Sequence, residues 1–286
     1  MRTDLHIHTT ASDGRWTPER LIAGVLAEGI ELFAVTDHDT VDNVLSTEAL
    51  AREAGLAFLR GVEISTTATE HGNGLFHILG YGIDPTHPEL LPRLDENRLK
   101  LEGTDDDDIR QLIKMGYPID WEEYEAYTYD RERGGFKSLN FMLDKGLCAD
   151  VRAFFNDIRA KLNHRWPTFL TPAEAVALIR AAGGVPVLAH PGMSLEHTGG
   201  VHAETLAPFL EAGIAGIECY SQYHDAETTA ACIAFCRQHG ILITGGSDYH
   251  GGFVNRKLGH PVVDSSELVL GQLLELSRVH LETGGG

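Results

Sequence analysis

The chain has no apolar run long enough to cross a bilayer, and it does not begin with the hydrophobic stretch of a signal peptide, so a cytoplasmic protein is expected. Cysteine is scarce. Cys148, Cys219, Cys232 and Cys236 follow no spacing pattern, which argues against a disulfide framework and for a reducing compartment. Cys232 and Cys236 lie one helical turn apart in an apolar stretch and read as core packing. Positive charge is also short, with 23 Lys and Arg against 42 Asp and Glu and a formal net charge of −19. That balance argues against an extended nucleic-acid surface. It leaves room for a small anion, because a bound divalent ion is often the largest local charge in a site. The GxSxG turn of serine hydrolases is missing. Gly245-Gly246-Ser247-Asp248 lacks the lysine of a nucleotide-binding P-loop, and no internal repeat or long low-complexity tract is present.

What the chain does have is 286 residues with 43% apolar content, enough for one barrel-sized domain, and 15 histidines. Residues 3–8 alternate, with Leu5 and Ile7 opposite Asp4, His6 and His8, as in a strand with one polar face. Thr17-Pro18-Glu19 marks a helix start, and Leu21, Ile22, Val25 and Leu26 give that helix a buried side up to Gly29. Further strands are expected over 32–35, 56–65 and 75–82. The capping box Thr171-Pro172-Ala173-Glu174 opens a helix that stops at Gly183-Gly184, before strands over 185–190, 214–220 and 241–247. Seven strands, mostly separated by helices, predict an α/β fold: a distorted (β/α)7 TIM-like barrel with parallel strands. Residues 99–167 change rhythm to charged, aromatic, mainly helical sequence. They read as an inserted subdomain that selects substrate and divides the barrel into 1–98 and 168–286. Within it, Thr104 followed by Asp105-Asp106-Asp107-Asp108 reads as a helix start whose acids complement the dipole.

Any one of the histidines could be an ordinary core or surface residue; their placement as a set could not. His6 and His8 share a strand face, and Asp13 follows in the loop leaving it. His38 ends the second strand, Glu63 lies near the end of the third, His77 is on the fourth and His190 ends the fifth. Asp248 and His250 end the last. In parallel barrels the C-terminal rim is where active sites assemble. These nine candidate ligands exceed the needs of one tetrahedral ion, and their nitrogen and oxygen mixture suits manganese, iron or zinc. Closely spaced divalent metals stabilise the attacking and leaving oxygens at phosphorus, so the expected chemistry is phosphoester hydrolysis.

The segments Asp4-Leu5-His6-Ile7-His8, Thr36-Asp37-His38-Asp39, Gly61-Val62-Glu63-Ile64, His77-Ile78-Leu79-Gly80-Tyr81, Ala189-His190-Pro191-Gly192 and Gly246-Ser247-Asp248-Tyr249-His250 resemble the polymerase and histidinol phosphatase (PHP) phosphoesterases of the amidohydrolase superfamily. The resemblance covers both barrel segments. It implies a distorted seven-stranded barrel and three divalent metals, manganese first among the candidates. It places one metal between His6, His8, Glu63 and Asp248, a second with Glu63, His77 and His190, and a third with Asp13, His38 and His250. Asp13, His38 and Glu63 would take part in catalysis, with Asp37 orienting an imidazole from behind.

The insertion supplies candidate substrate contacts: Arg131, Arg133 and Lys137 beside Tyr127 and Tyr129, with Lys100 a further cation. His197 and His224 follow the fifth and sixth strands and are candidates to protonate a leaving oxygen. Tyr129-Asp130-Arg131 with Arg133-Gly134-Gly135-Phe136-Lys137 looks like the branch that hydrolyses five-membered cyclic phosphates such as phosphoribosyl 1,2-cyclic phosphate. That branch implies two successive hydrolyses, to ribose 5-phosphate and phosphate. A nucleoside 3',5'-bisphosphate 3'-phosphatase or short-oligonucleotide exonuclease of the same family is the enzymatic alternative. A noncatalytic metal-binding interaction module is the alternative of another class. The expected partner is a small phosphorylated sugar or nucleotide, with no membrane; the sequence leaves the oligomeric state open.

Overall fold

The computed structural model describes residues 1–68, 71 and 74–282, with side chains to 277. Its strands are β1 (Arg2–Asp4), β2 (Leu32–Val35), β3 (Ala57–Ala68), β4 (Gly74–Tyr81), β5 (Val185–Leu188), β6 (Gly216–Tyr220), β7 (Leu242–Gly245) and β8 (Val263–Asp264). They form one sheet in the order β7-β6-β5-β4-β3-β2-β1-β8. The chain just past β1 reaches the far end of that sheet. The Leu5 N–H donates to the Gly245 carbonyl at 3.1 Å and the His8 N–H to the Tyr249 carbonyl at 2.9 Å, so the sheet curls into a nearly closed barrel. Every residue of β2 and β5 is buried, as expected for strands covered on both faces.

Helices α1 (Pro18–Ala27) and α2 (Val44–Glu53) follow the first two strands. The insertion carries α3 (Leu90–Lys114), α4 (Trp121–Ala126), α5 (Lys137–Asp144) and α6 (Val151–Ala153). The second half adds α7 (Pro172–Ala181), α8 (Pro191–Ser194), α9 (Ala203–Glu211), α10 (Ala226–His239) and α11 (Gln272–Glu282). The helix starts read from the sequence lie at α1, where Thr17 accepts from the Arg20 N–H, and at α7, where Thr171 and Glu174 form the capping box. No described helix is long and apolar enough to cross a membrane.

Two expectations need correction. The α/β barrel forms as expected, its seven strands joined among the described residues by the two-residue β8, but it is mixed rather than parallel: β4 runs antiparallel to both β3 and β5, and β8 antiparallel to β1. Only residues 69–73 connect β3 to β4, too few for the crossover that parallel neighbours require, so the chain returns antiparallel. The reversal matters for the site. His77 lies in the first half of β4, opposite Ser65, and a reversed strand brings its beginning to the rim where its neighbours end.

The second correction concerns the acidic run. Asp105-Asp106-Asp107-Asp108 does not start a helix but lies well inside α3, which itself crosses the expected boundary at residue 98. Asp105 and Asp108 share an inward face at i, i+3 spacing and are buried, whereas Asp107 is exposed. Their burial is sustained by partners: Asp105 accepts from the Ser138 hydroxyl at 2.9 Å, and Asp108 receives the His164 ring at 2.9 Å. A separate apolar cluster that includes Ile109, Leu112, Tyr124, Phe141 and Phe154 packs the insertion around α3 as a cap. Cys219, Cys232 and Cys236 are buried, and all four cysteines are free thiols.

Candidate metal centre

The alternation at the end of β1 sends Leu5 and Ile7 into the hydrophobic core and leaves His6 and His8 side by side on the barrel's inner face, their rings 5.2 Å apart. Glu63, fully buried on β3, stands at the middle of the cluster. Its Oε2 lies 3.2 Å from His6 Nε2, 3.2 Å from His8 Nε2 and 3.1 Å from His38 Nδ1. Its Oε1 lies 3.0 Å from His77 Nδ1 and 3.0 Å from His190 Nε2. Asp248 Oδ1 closes one side at 2.9 Å from His8 Nε2 and 3.4 Å from His6 Nε2. Asp13 lies 3.3 Å from His250 Nε2 and 3.7 Å from His8 Nδ1.

Backbone conformation is unusual at this rim. Asp39, His190 and Asp248 have φ of 48°, 24° and 50°, values that non-glycine residues rarely adopt and that cluster at functional sites. Gly246 is required for close approach, since a Cβ there would meet the His6 backbone nitrogen at 2.6 Å.

Whether these residues suit metal ions is decided by atoms that face one another without hydrogen-bonding. His6 Nε2, His8 Nε2, His38 Nδ1, Glu63 Oε2 and Asp248 Oδ1 are all buried and lack a hydrogen-bond partner, although each is within 3.4 Å of another member of the set. Uncompensated burial of so many polar atoms is costly unless a cation lies among them. Three groups of donor atoms are close enough to share an ion: His6, His8, Glu63 and Asp248; His8, Asp13, His38 and His250; and His38, Glu63 and His77. The first is the expected first group. The second adds His8 to the expected third, and His190 joins Glu63 and His77 through the contacts given above. Imidazole with carboxylate suits zinc, manganese or iron.

The electrostatics agree. Burial pushes the Glu63 carboxyl up, but His6, His77 and His38 outweigh it and hold the group well below the usual carboxylate range. Burial lowers His6, but Glu63, Glu218 and Asp248 lift it well above the ordinary imidazole value. The same contest, won by Asp13 and Asp248, raises His250 to about 9. The pocket therefore attracts positive charge, and metal binding there would release protons.

Groups behind the donors fix their orientation. Glu218 on β6, fully buried, holds His6 Nδ1 at 3.0 Å and accepts the His190 backbone N–H at 2.9 Å. Tyr223 and Arg256 donate to Asp248 Oδ2 at 3.0 and 2.6 Å. The sequence reading missed Glu218, Tyr223 and Arg256. A lone carboxylate between Ile217 and Cys219 in an apolar strand was a usable signal for the first, whereas Arg256 lies in a loop without one. Asp37 needs correction: among the described residues it bonds no imidazole directly but accepts from the Thr9 N–H and hydroxyl at 2.7 and 2.6 Å and from the Ser12 hydroxyl at 2.6 Å, itself 3.5 Å from His8 Nδ1, bracing the loop that carries Asp13.

A cavity of about 770 Å³ opens from Asp13, His38 and His77 toward the cap. Arg131 and Lys137 lie on its wall, as does Arg159, which the sequence reading did not single out. Lys100 and Arg133 do not. Lys100 pairs with Glu96 one turn earlier on α3 at 2.9 Å, and Arg133 is held by Asp144 at 2.7 Å on the cap surface. The proposed acids are placed differently too. His197 is exposed and away from the cavity wall. His224 spends both ring nitrogens on the backbone, Nδ1 donating to the Cys219 carbonyl at 2.8 Å and Nε2 accepting from the Gly192 N–H at 2.9 Å.

A sequence profile described as the PHP domain matches residues 4–166, more than half of the chain. The chain belongs to the PHP family. Among its relatives, a phosphoribosyl 1,2-cyclic phosphate 1,2-diphosphodiesterase from Eggerthella lenta is 27% identical over 259 residues, covering 88% of this chain and 95% of that protein. A 3',5'-nucleoside bisphosphate phosphatase from Chromobacterium violaceum is 30% identical over 272 residues, covering 90% of each. A solved structure from Bifidobacterium adolescentis, provisionally assigned as a metal-dependent phosphoesterase, superposes with a TM-score of 0.80 at 25% identity, covering 97% of this chain and 96% of that one. The chain is accordingly a metal-dependent hydrolase of phosphoric ester bonds.

Proposed function

We propose that this PHP enzyme hydrolyses a small sugar phosphate carrying a second phosphate group, phosphoribosyl 1,2-cyclic phosphate being the best fit, with three divalent metals, manganese foremost, held by the nine rim ligands. The supporting observation is how the segment 129–137 docks on the loop bearing Asp13. The Gly135 N–H donates to the Asp13 carbonyl at 2.7 Å, and Arg15 Nε donates to the Glu132 carbonyl at 3.3 Å. This docking puts Arg131 and Lys137 on the wall of the cavity that contains Asp13, His38 and His77. One phosphate at the rim and a second near the cap cations satisfies both ends of the cavity.

Metals bound at the rim would neutralise phosphate charge and lower the pKa of a bound water. Glu63 serves two of the ion groups from one carboxylate, and Asp13, His38 and His77 face the substrate side of the cluster. Two hydrolyses follow for a cyclic ester. The first water cleaves one P–O bond and opens the ring; the second cleaves the remaining bond and releases phosphate, leaving ribose 5-phosphate. A cytoplasmic setting belongs to the same proposal, supported by the four free thiols.

A nucleoside 3',5'-bisphosphate is the second reading, favoured by the exposed Trp166 and by Leu99 on the cavity wall, where a base could stack. Phosphate release by manganese-loaded protein from the cyclic sugar phosphate, beside adenosine 3',5'-bisphosphate, separates the two. The proposal expects higher kcat/KM for the sugar phosphate, and a preference for the bisphosphate overturns it.

A further inference from the structure

Arg159 belongs to no part of the chemistry described so far, yet it is the most elaborately held cation on the cavity wall. The acidic run of α3 explains why. Asp108 is buried and lies 2.9 and 3.1 Å from His164 Nδ1. A ring N–H that donates to a carboxylate fixes the tautomer, so His164 Nε2 is left as an acceptor. It lies 2.9 Å from Arg159 Nη2, which is also 3.4 Å from Nδ1 and so packs over the ring, while Arg159 Nε lies 3.5 Å from Asp108 Oδ2. Three aromatic rings complete the holder, with the guanidinium carbon 5.3 Å from the Phe136 centroid, 5.8 Å from Phe155 and 5.2 Å from Trp166.

The arrangement leaves one edge of the guanidinium over. Nη1 has no hydrogen-bond partner among the described residues, and Arg159 lines the cavity that reaches the metal centre. Asp108 and His164 do not line that cavity but the wall of a separate, smaller groove of about 290 Å³. Arg98, Arg131 and Lys137, the other cations on the wall, are held otherwise: Arg98 pairs with Asp95 and Glu102 on its own helix, Arg131 Nη1 donates to Tyr129 and Lys137 to the Glu125 carbonyl. Arg159 is thus the cavity cation whose orientation is fixed by a carboxylate acting through an imidazole, which favours binding a planar or tetrahedral oxyanion at low ordering cost.

We infer that Arg159 is a specificity residue that binds the distal phosphate monoester of the substrate, and that Asp108 and His164 are positioning residues acting through it. The inference rests on the two-phosphate reading above but does not require that the ester at the metals be cyclic.

The test uses metal-loaded protein hydrolysing bis(p-nitrophenyl) phosphate, with ribose 5-phosphate and inorganic phosphate as inhibitors. A charge-assisted contact of this kind predicts that Arg159→Gln raises the inhibition constant of ribose 5-phosphate by about tenfold more than that of inorganic phosphate. Arg159→Lys should recover part of the difference and guards against a folding defect. His164→Ala should reproduce a smaller version of the loss, and His164→Gln, which keeps an acceptor for the guanidinium, should restore it; a merely structural role would not distinguish those two. Parallel shifts for both inhibitors, or no shift for either, overturn the inference. If the wild type does not turn over the reporter, the phosphodiesterase reading fails instead, and calorimetric titration with ribose 5-phosphate decides the role of Arg159 by the same comparison.

Discussion

The barrel rim and the cap both bury charge, but they treat it in opposite ways. At the rim, donor atoms of His6, His8, His38, Glu63 and Asp248 face one another without hydrogen-bonding, and the fold leaves them so. In the cap the buried carboxylates have protein partners, Asp105 in Ser138 and Asp108 in His164, and Arg159 is held by Asp108 and three aromatic rings with only Nη1 left toward the cavity. The difference shows which region depends on something outside the chain. A satisfied network is a scaffold, and an unsatisfied convergent one is a binding site for the ion that completes it.

The largest effect is expected where one rim residue serves two ion groups. Glu63→Gln should lower phosphodiester turnover by more than about a hundredfold, the upper end for supporting groups one layer out, and should lower metal content per chain. Asp107→Asn, exposed on α3, should change neither. Equal activity and metal content in both variants would erase the distinction between the regions.

One layer out, Glu218→Gln should weaken metal affinity by about 10- to 100-fold, because His6 and the His190 backbone lose their shared carboxylate. Metal titration checks this, and unchanged affinity would make Glu218 a packing residue. In the cap, Arg131→Ala should raise KM by about tenfold for the preferred phosphorylated substrate. Arg133→Ala should change KM little and cost at most about 1 kcal/mol of stability, as for exposed ion pairs. The reverse order would return Arg133 to the substrate site.

The smallest effect separates the regions by pH. Burial raises Asp105 to about 6, against hydrogen bonds from Ser138 that act to lower it. Between about pH 4 and 6 the folded cap keeps a proton that the unfolded chain has released, so stability falls as pH rises through that window and stays lower above it. Asp105→Asn should remove about 2 kcal/mol of that dependence, read from urea melts at pH 4.5 and 7. An unaltered slope would assign it to other groups.

Much of the rim was legible because strand periodicity is strict. Once His6 and His8 shared a face and the other ligands fell at predicted strand ends, their meeting followed from barrel geometry. His77 was assigned to the rim even though its strand runs the other way, a reversal that a short connection imposes and that hydrophobic pattern alone does not display. The cap was less legible, because its chemistry rests on which cations are already spoken for. Lys100, Arg133 and Arg159 look alike in sequence; only folding shows that Glu96 and Asp144 claim the first two and that Asp108 presents the third to the cavity. The acidic run was misread for the same reason, since partners as far along the chain as Ser138 and His164 turn two of its four carboxylates inward.

The most direct test of the metal centre is elemental analysis of the purified protein paired with phosphate release before and after chelation. The account predicts up to three divalent ions per chain, activity lost on chelation and regained with manganese. A protein that binds no divalent metal from manganese, iron or zinc, yet still hydrolyses phosphate esters, would contradict it.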